Sequence, residues 1–295
     1  MTDLGIGTVQ FGINYGISNT KGQTPAAEVS DILGIAEKAD VRVLDTAPAY
    51  GASEAVLGEW LSGTHPFDIV TKTPGFNREP FGKPEAAELI RVFEESLSSL
   101  RQTSVYGLLV HECDDLFAVG GELLWDTMQS LKDSGRVKKI GVSVYTAEQI
   151  DRVMDGYDVD LIQLPINVID QRLVKSGHLR ALKESEVEIH ARSVFLQGLL
   201  LMNPEKVPSH FEDIRPLLKK YHAWLEENGL TMIEGALAFM HGLPEIDCVV
   251  AGVCSQGEAA EIASAFHGSK NVKMNFNLFF VPEPKFLNPS MWPAS

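Results

Sequence analysis

The 295-residue chain has only three cysteines, Cys113, Cys248 and Cys254. Three cannot all pair with one another, and none stands in the C-x-x-C spacing of a zinc site. A disulfide framework and a zinc module are therefore excluded, and free thiols are expected. Long apolar runs are missing too: no window approaches the roughly 18 consecutive apolar residues of a membrane-spanning helix. The start, Met1-Thr2-Asp3-Leu4, has neither the basic nor the apolar segment of a secretion signal. Positive charge is scarce, with 25 Lys and Arg against 40 Asp and Glu and a net charge of −15. Such a surface repels phosphate backbones and anionic headgroups, so nucleic acid and membrane are not expected partners. The expectation is a soluble cytoplasmic protein that acts on a small molecule.

What is present is a composition of 44% hydrophobic and 22% charged residues, ordinary for a globular protein. Size scaling leaves roughly a quarter of the unfolded surface exposed, which allows a substantial core. Eight short apolar runs recur along the chain: Leu4-Thr8, Arg42-Asp45, Asp68-Lys72, Tyr106-His111, Lys139-Ser143, Leu161-Pro165, Val187-Ser193 and Cys248-Gly252. They are runs rather than alternators, as strands buried on both faces should be. Amphipathic segments lie between them. Thr24-Pro25 reads as N-cap and first residue of one helix, with Val29, Ile32, Leu33 and Ala36 on its apolar stripe. Pro84 opens a second, with the stripe Ala86, Ile90, Phe93, Leu97 and Leu100. Leu123, Leu124, Met128 and Leu131 mark a third that stops near Gly135.

Eight strand-helix repeats predict a parallel sheet closed into a (β/α)8 TIM barrel, and no linker divides the chain, so one domain over 1–295 is expected. An open doubly wound sheet would show G-x-G-x-x-G after its first strand. Here Gly5-Ile6-Gly7-Thr8-Val9-Gln10 lacks the third glycine. Barrel chemistry belongs where strands end. Asp45 ends the second run, Tyr50 follows in the next loop, Lys72 ends the third and His111 the fourth. Singly these read as a cap, a packing ring, a solvated amine and a core histidine. Three consecutive strands delivering them to one rim suit carbonyl chemistry. Reduction builds negative charge on oxygen, which must be protonated. Tyr50 can donate, Lys72 would lower the phenol's pKa, Asp45 would keep Lys72 charged and aimed, and His111 would orient the carbonyl. The run His111-Glu112-Cys113-Asp114-Asp115 has no paired histidines to complete a metal site, and none is expected.

The stretch Asp45-Thr-Ala-Pro-Ala-Tyr50-Gly-Ala-Ser-Glu54, with Lys72 and His111 following, resembles the aldo-keto reductase superfamily over essentially the whole chain. The resemblance implies a (β/α)8 barrel with NAD or NADP lying across its C-terminal rim, and an oxidoreductase that interconverts a carbonyl, possibly sugar-like, and an alcohol. Asp45, Tyr50, Lys72 and His111 are the implied catalytic residues. The implied cofactor contacts are Gly7, Thr8, Ser143, Gln163, Asn167, Arg192, Ser193, Gly252, Ser255, Glu258 and Glu261. Arg192 stands where an aromatic residue is usual, so its guanidinium would stack on the nicotinamide; a structural salt bridge is the alternative. Gly252 and Glu258 stand where many NADP-dependent members carry Lys and Arg, which leans the expectation toward NAD or dual use. Phe11 and Tyr15 are expected to line the substrate side. The tail from Asn275 would serve as a pocket wall or pack on or near the barrel mouth. A cofactor-binding regulatory barrel with little turnover is the alternative function.

Overall fold

All eight apolar runs form strands, within one or two residues of the predicted ends. The computed structural model describes residues 2–61, 63–77, 80–273 and 275–293. The strands are β1 (Asp3–Gly7), β2 (Val43–Asp45), β3 (Asp68–Lys72), β4 (Val105–Val110), β5 (Val137–Ser143), β6 (Leu161–Pro165), β7 (Glu188–Arg192) and β8 (Cys248–Gly252). They pair in parallel in chain order and close into a barrel. The closing seam joins Asp3–Gly7 to Cys248–Gly252 residue by residue.

Nine helices of seven residues or more surround the barrel among the described residues: α1 (Ala26–Lys38), α2 (Ser53–Trp60), α3 (Lys83–Leu100), α4 (Gly121–Asp133), α5 (Ala147–Gly156), α6 (His178–Glu184), α7 (Arg215–Glu227), α8 (Met232–His241) and α9 (Gln256–Gly268). Along each strand side chains alternate between two apolar environments. Val43, Val70, Leu109, Leu161, Cys248 and Val250 pack inside the barrel. Leu44, Ile69, Leu108, Ile162, Ile189 and Val249 pack outward under the helices. The interior is therefore a filled apolar layer, and chemistry is confined to its two ends.

Two helix details differ from expectation. Thr24 is not the cap of α1: Pro25 holds that position with extended backbone, and the helix begins at Ala26. The Thr24 hydroxyl instead leans on the Cys254 carbonyl at 3.4 Å. On α3 the buried stripe runs through Leu89, Phe93, Leu97 and Leu100, whereas Ile90 is 44% exposed. A period of 3.6 residues makes either neighbour compatible with the pattern, and packing against α2 and α4 selects Leu89.

Candidate active site

Two residues beyond the inward apolar layer, each strand places one more inward position at the C-terminal end. Taken around the barrel these are Gly7, Asp45, Lys72, His111, Ser143, Gln163, Arg192 and Gly252, and all eight line one cavity of about 580 Å³. The ring follows from strand register: a residue two past an inward-facing position points the same way at the open end, that position being Val or Leu on β2, β3, β4, β6 and β8, Gly on β1 and β5, and His190 on β7. His111 is the one member just outside its strand.

Within the ring, Lys72 Nζ donates to Asp45 Oδ1 at 2.8 Å and to the Thr46 carbonyl at 2.9 Å. Gln163 Nε2 donates to the same Asp45 oxygen at 2.7 Å. Asp45, Lys72 and Gln163 are all buried, so the carboxylate is held by two donors and screened from water. Tyr50 arrives from the loop after β2. Lys72 Nζ lies 4.9 Å from the centre of its ring. The His111 ring meets Tyr50 edge-on, with centroids 5.9 Å apart. The turn carrying Tyr50 packs so tightly on the β1 loop that a Cβ at Gly12 would fall 1.7 Å from the Tyr50 carbonyl oxygen. Gly51 follows at φ +59°, a conformation that favours glycine. Ser53 pins the same turn by donating to the Thr8 carbonyl at 2.9 Å.

This environment sets the charges. Burial pushes the Tyr50 hydroxyl above the ordinary tyrosine value; Lys72 pulls it down, and Asp45 adds to the rise. The lowering by Lys72 expected from sequence thus operates, but burial outweighs it, and Tyr50 is a protonated phenol at neutral pH. Burial also works against the Lys72 charge, yet Asp45 and Tyr50 overcome it and hold the amine above the usual lysine value. His111 is lowered to about 4, first by burial and then by Lys72 and Arg192, against an opposing pull from Asp45. Near neutrality the mouth therefore holds a neutral imidazole, a neutral phenol and a charged ammonium bonded to Asp45.

The other sequence-derived positions divide. Gly7, Thr8, Tyr15, Ser193, Glu258 and Glu261 line the cavity. Phe11 does not: it is fully buried in the core, and its neighbour Gln10 takes the wall. Asn167 is absent from the lining as well. Its side chain donates to the Ser193 carbonyl at 3.1 Å and accepts from the Ile169 and Asp170 backbones at 3.1 and 3.0 Å, closing its own loop. Ser255 caps α9, accepting from the Glu258 N–H at 3.3 Å, and also lies off the lining. Glu258 is not free in solvent, because its carboxylate accepts from the Cys254 N–H at 2.8 Å. Arg192 has no ion pair among the described residues; its Cζ sits 4.1 Å over the centre of the Tyr145 ring. The tail takes its packing role. Phe276 and Phe279 meet Phe239 of α8 and Tyr221 of α7, and no residue of 275–293 lines the cavity. Residues 294–295 lie outside the described residues.

Sequence reasoning missed several wall residues. Tyr145, Lys21 and Gln197 reach the cavity from loops after β5, β1 and β7. The Tyr15 hydroxyl accepts from Gln197 Nε2 at 3.1 Å, so the β1 and β7 loops meet across the opening. Glu28, on α1, accepts from the Gln256 N–H at the start of α9 at 2.6 Å. Loop side chains carry no periodic signal, and only the motif spacing of Tyr50 made one of them readable.

The model of the Aldo/keto reductase family matches residues 3–277. The chain is similar to Aldo-keto reductase YhdN of Bacillus subtilis (strain 168), with 28% identity over 209 residues, which are 68% of this chain and 62% of that protein. The matched part thus spans less than two thirds of that relative's length. Among solved structures, the aldo-keto reductase AKR11C1 from Bacillus halodurans in its holo form shares the fold at a TM-score of 0.71. It is 18% identical over 91% of this chain and 89% of that one. The glycerol dehydrogenase AKR11B4 from Gluconobacter oxydans does so at 0.70, 19% identical over 93% of this chain and 88% of that one.

Proposed function

The chain belongs to the aldo/keto reductase family, and from that premise we propose that it is a nicotinamide-dependent oxidoreductase that interconverts a carbonyl and an alcohol. The observation that carries this reading is the Tyr50–Lys72–Asp45 cluster, with a neutral His111 beside it in one cavity. The residues present suit the cofactor. Ser143 and Gln163 face each other in register on β5 and β6. Gln163 Oε1 is buried without a partner while its amide nitrogen is held by Asp45. That orphan acceptor and the Ser143 hydroxyl would hold a carboxamide. Gly252 keeps the wall open farther along, where a Cβ would stand 2.8 Å from Gln10. When bound, the nicotinamide would exchange hydride with the carbonyl carbon. Tyr50 gives its proton to the developing oxyanion, and the Lys72 charge stabilises the phenolate left behind. Asp45 keeps Lys72 charged and fixed. His111 donates a hydrogen bond to the carbonyl oxygen and sets its orientation.

We further infer a preference for NAD(H). The α9 N-terminus, which could bind a phosphate through its backbone, already holds the chain's own carboxylates, Glu28 on Gln256 and Glu258 on Cys254. Lys21 is the single Lys or Arg lining that end of the cavity among the described residues. An extra phosphate would meet like charge there, at about 1 kcal/mol per contact in solvated surroundings, or about tenfold in affinity. The function is tested by following loss of reduced-nicotinamide absorbance with a panel of aldehydes and hydroxyaldehydes. Absence of turnover with either cofactor refutes it. For the preference, NADH should bind more tightly than NADPH, and Glu28→Gln should narrow the gap. NADPH binding ten times more tightly, unaffected by the substitution, would refute it.

A further inference from the structure

The cavity wall carries a cation that the chain leaves unneutralised. Lys72 is paired with Asp45. No carboxylate among the described residues lies within 4.0 Å of the Arg192 guanidinium. Glu112, exposed at the cavity edge, feels the Arg192 charge but stands beyond ion-pair reach. The chain is acidic, with a net charge of −15, and an unpaired arginine in a half-buried site is an exception among the described residues.

The side chain is also held in place. Arg192 donates to the Val144 carbonyl at 3.1 Å and toward Ser193 Oγ at 3.4 Å, and its Cζ sits over Tyr145, 4.1 Å from the ring centre. These contacts bridge the ends of β7 and β5 and fix the guanidinium without neutralising it. Its Nε is buried and donates to nothing. A buried donor without a partner is costly unless a ligand completes it. Arg192 lines the same cavity as Tyr15, Tyr50 and His111, and each of these feels its charge. A planar guanidinium with free N–H groups matches the geometry of a two-oxygen anion.

We propose that Arg192 anchors an anionic group on the substrate, so that the preferred substrates are carbonyl compounds bearing a carboxylate or a phosphate. This rests on the reading of the cavity as a carbonyl-reducing site and narrows it to a substrate class. Tyr145 supports the guanidinium from beneath. The anion sits at the β5–β7 side of the mouth, while the carbonyl faces Tyr50 and His111.

The test compares matched pairs at saturating NADH: 4-carboxybenzaldehyde against 4-methylbenzaldehyde, and glyceraldehyde 3-phosphate against glyceraldehyde. In at least one pair the anionic member should have the higher kcat/KM by about tenfold or more, the size of one charge-assisted hydrogen bond. The pair that shows it separates carboxylate from phosphate. Arg192→Met should collapse that ratio toward one, and Arg192→Lys should retain part of it. Equal or inverted ratios in the native protein overturn the proposal. So does an Arg192→Met variant in which both members fall together, which would make Arg192 a support for the cofactor or the fold. A calorimetric arm keeps the two readings apart. Benzoate or inorganic phosphate should bind the native protein and bind the Met variant about tenfold more weakly. If no aldehyde is reduced but this loss is seen, the carbonyl-reducing reading fails and the anion site stands. Unchanged affinity for both anions overturns the anion site itself.

Discussion

Two polar rings flank the apolar layer of the barrel, and cavities of nearly equal size open on them, about 580 Å³ at the C-terminal mouth and about 550 Å³ at the N-terminal floor. Size does not separate the two ends; pairing does. On the floor, Glu188 accepts from the Tyr106 hydroxyl and from His190 Nε2, each at 2.7 Å, and from Lys139. Arg42 faces Asp68, and Lys183 is paired with Asp247. One buried nitrogen there, His190 Nδ1, has no partner. At the mouth, Gln10 Oε1, Gln163 Oε1 and Arg192 Nε are all buried and unpartnered. A ring whose charges answer one another braces the barrel, and a ring that leaves donors and acceptors open has room for a ligand.

Lys72 apart, since it is already paired with Asp45, the comparison breaks if mouth substitutions cost stability and floor substitutions cost activity. The largest expected effect is on turnover. Tyr50→Phe should lower kcat by ~10²–10⁴-fold, the usual worth of a general acid, with an unchanged Tm. Turnover within threefold of the native protein would remove Tyr50 from its role. Lys72→Met is the mouth substitution that should do both. It strands a buried carboxylate, at a cost of about 3 kcal/mol or more, tempered by the remaining Gln163 hydrogen bond. It also removes the charge that pulls Tyr50 down. The alkaline limb of the pH–rate profile should therefore move to higher pH, and an unmoved limb in an active variant would disconnect the two residues.

The smallest effect belongs to the floor. Burial alone would raise Glu188, but its bonds from His190, Lys139 and Tyr106 bring it down to about 2, below the ordinary 4.5. The folded state thus binds fewer protons than the unfolded chain between those values. The stabilisation is complete above pH 4.5 and is lost as pH falls toward 2, by up to about 3 kcal/mol. Glu188→Gln should flatten this acid dependence in urea titrations and leave kcat/KM untouched. An activity loss larger than the stability loss would show the floor coupled to the chemistry.

Strand positions were legible because a strand buried on both faces writes itself as an apolar run, and the polar residue two past it reads as a rim residue. Asp45, Lys72 and His111 were legible this way at strand ends, whereas Gln163 and Arg192 were named only through the family resemblance. Legibility ended where the chain leaves the strand. Phe11 and Gln10 are adjacent in the β1 loop, and nothing local tells which of them faces the cavity. Asn167 carried a plausible polar side chain whose capacity is taken up by its own loop. Glu28 was invisible because it acts on α9 from 228 residues away in sequence. On α3, Ile90 and Leu89 differ by one helical step, and only packing decides between them.

The seam between β1 and β8 has a consequence for how the chain is made. Asp3 is made long before its partner Cys248, which lies in the last strand of the barrel. Until then β1 has β2 on one side only, and β7 likewise waits for β8 with an open backbone edge. An edge of unpaired amides and carbonyls invites pairing with another chain. A chain in which Cys248–Gly252 has not yet docked therefore exposes two open borders at once, and pairing of those five residues seals both.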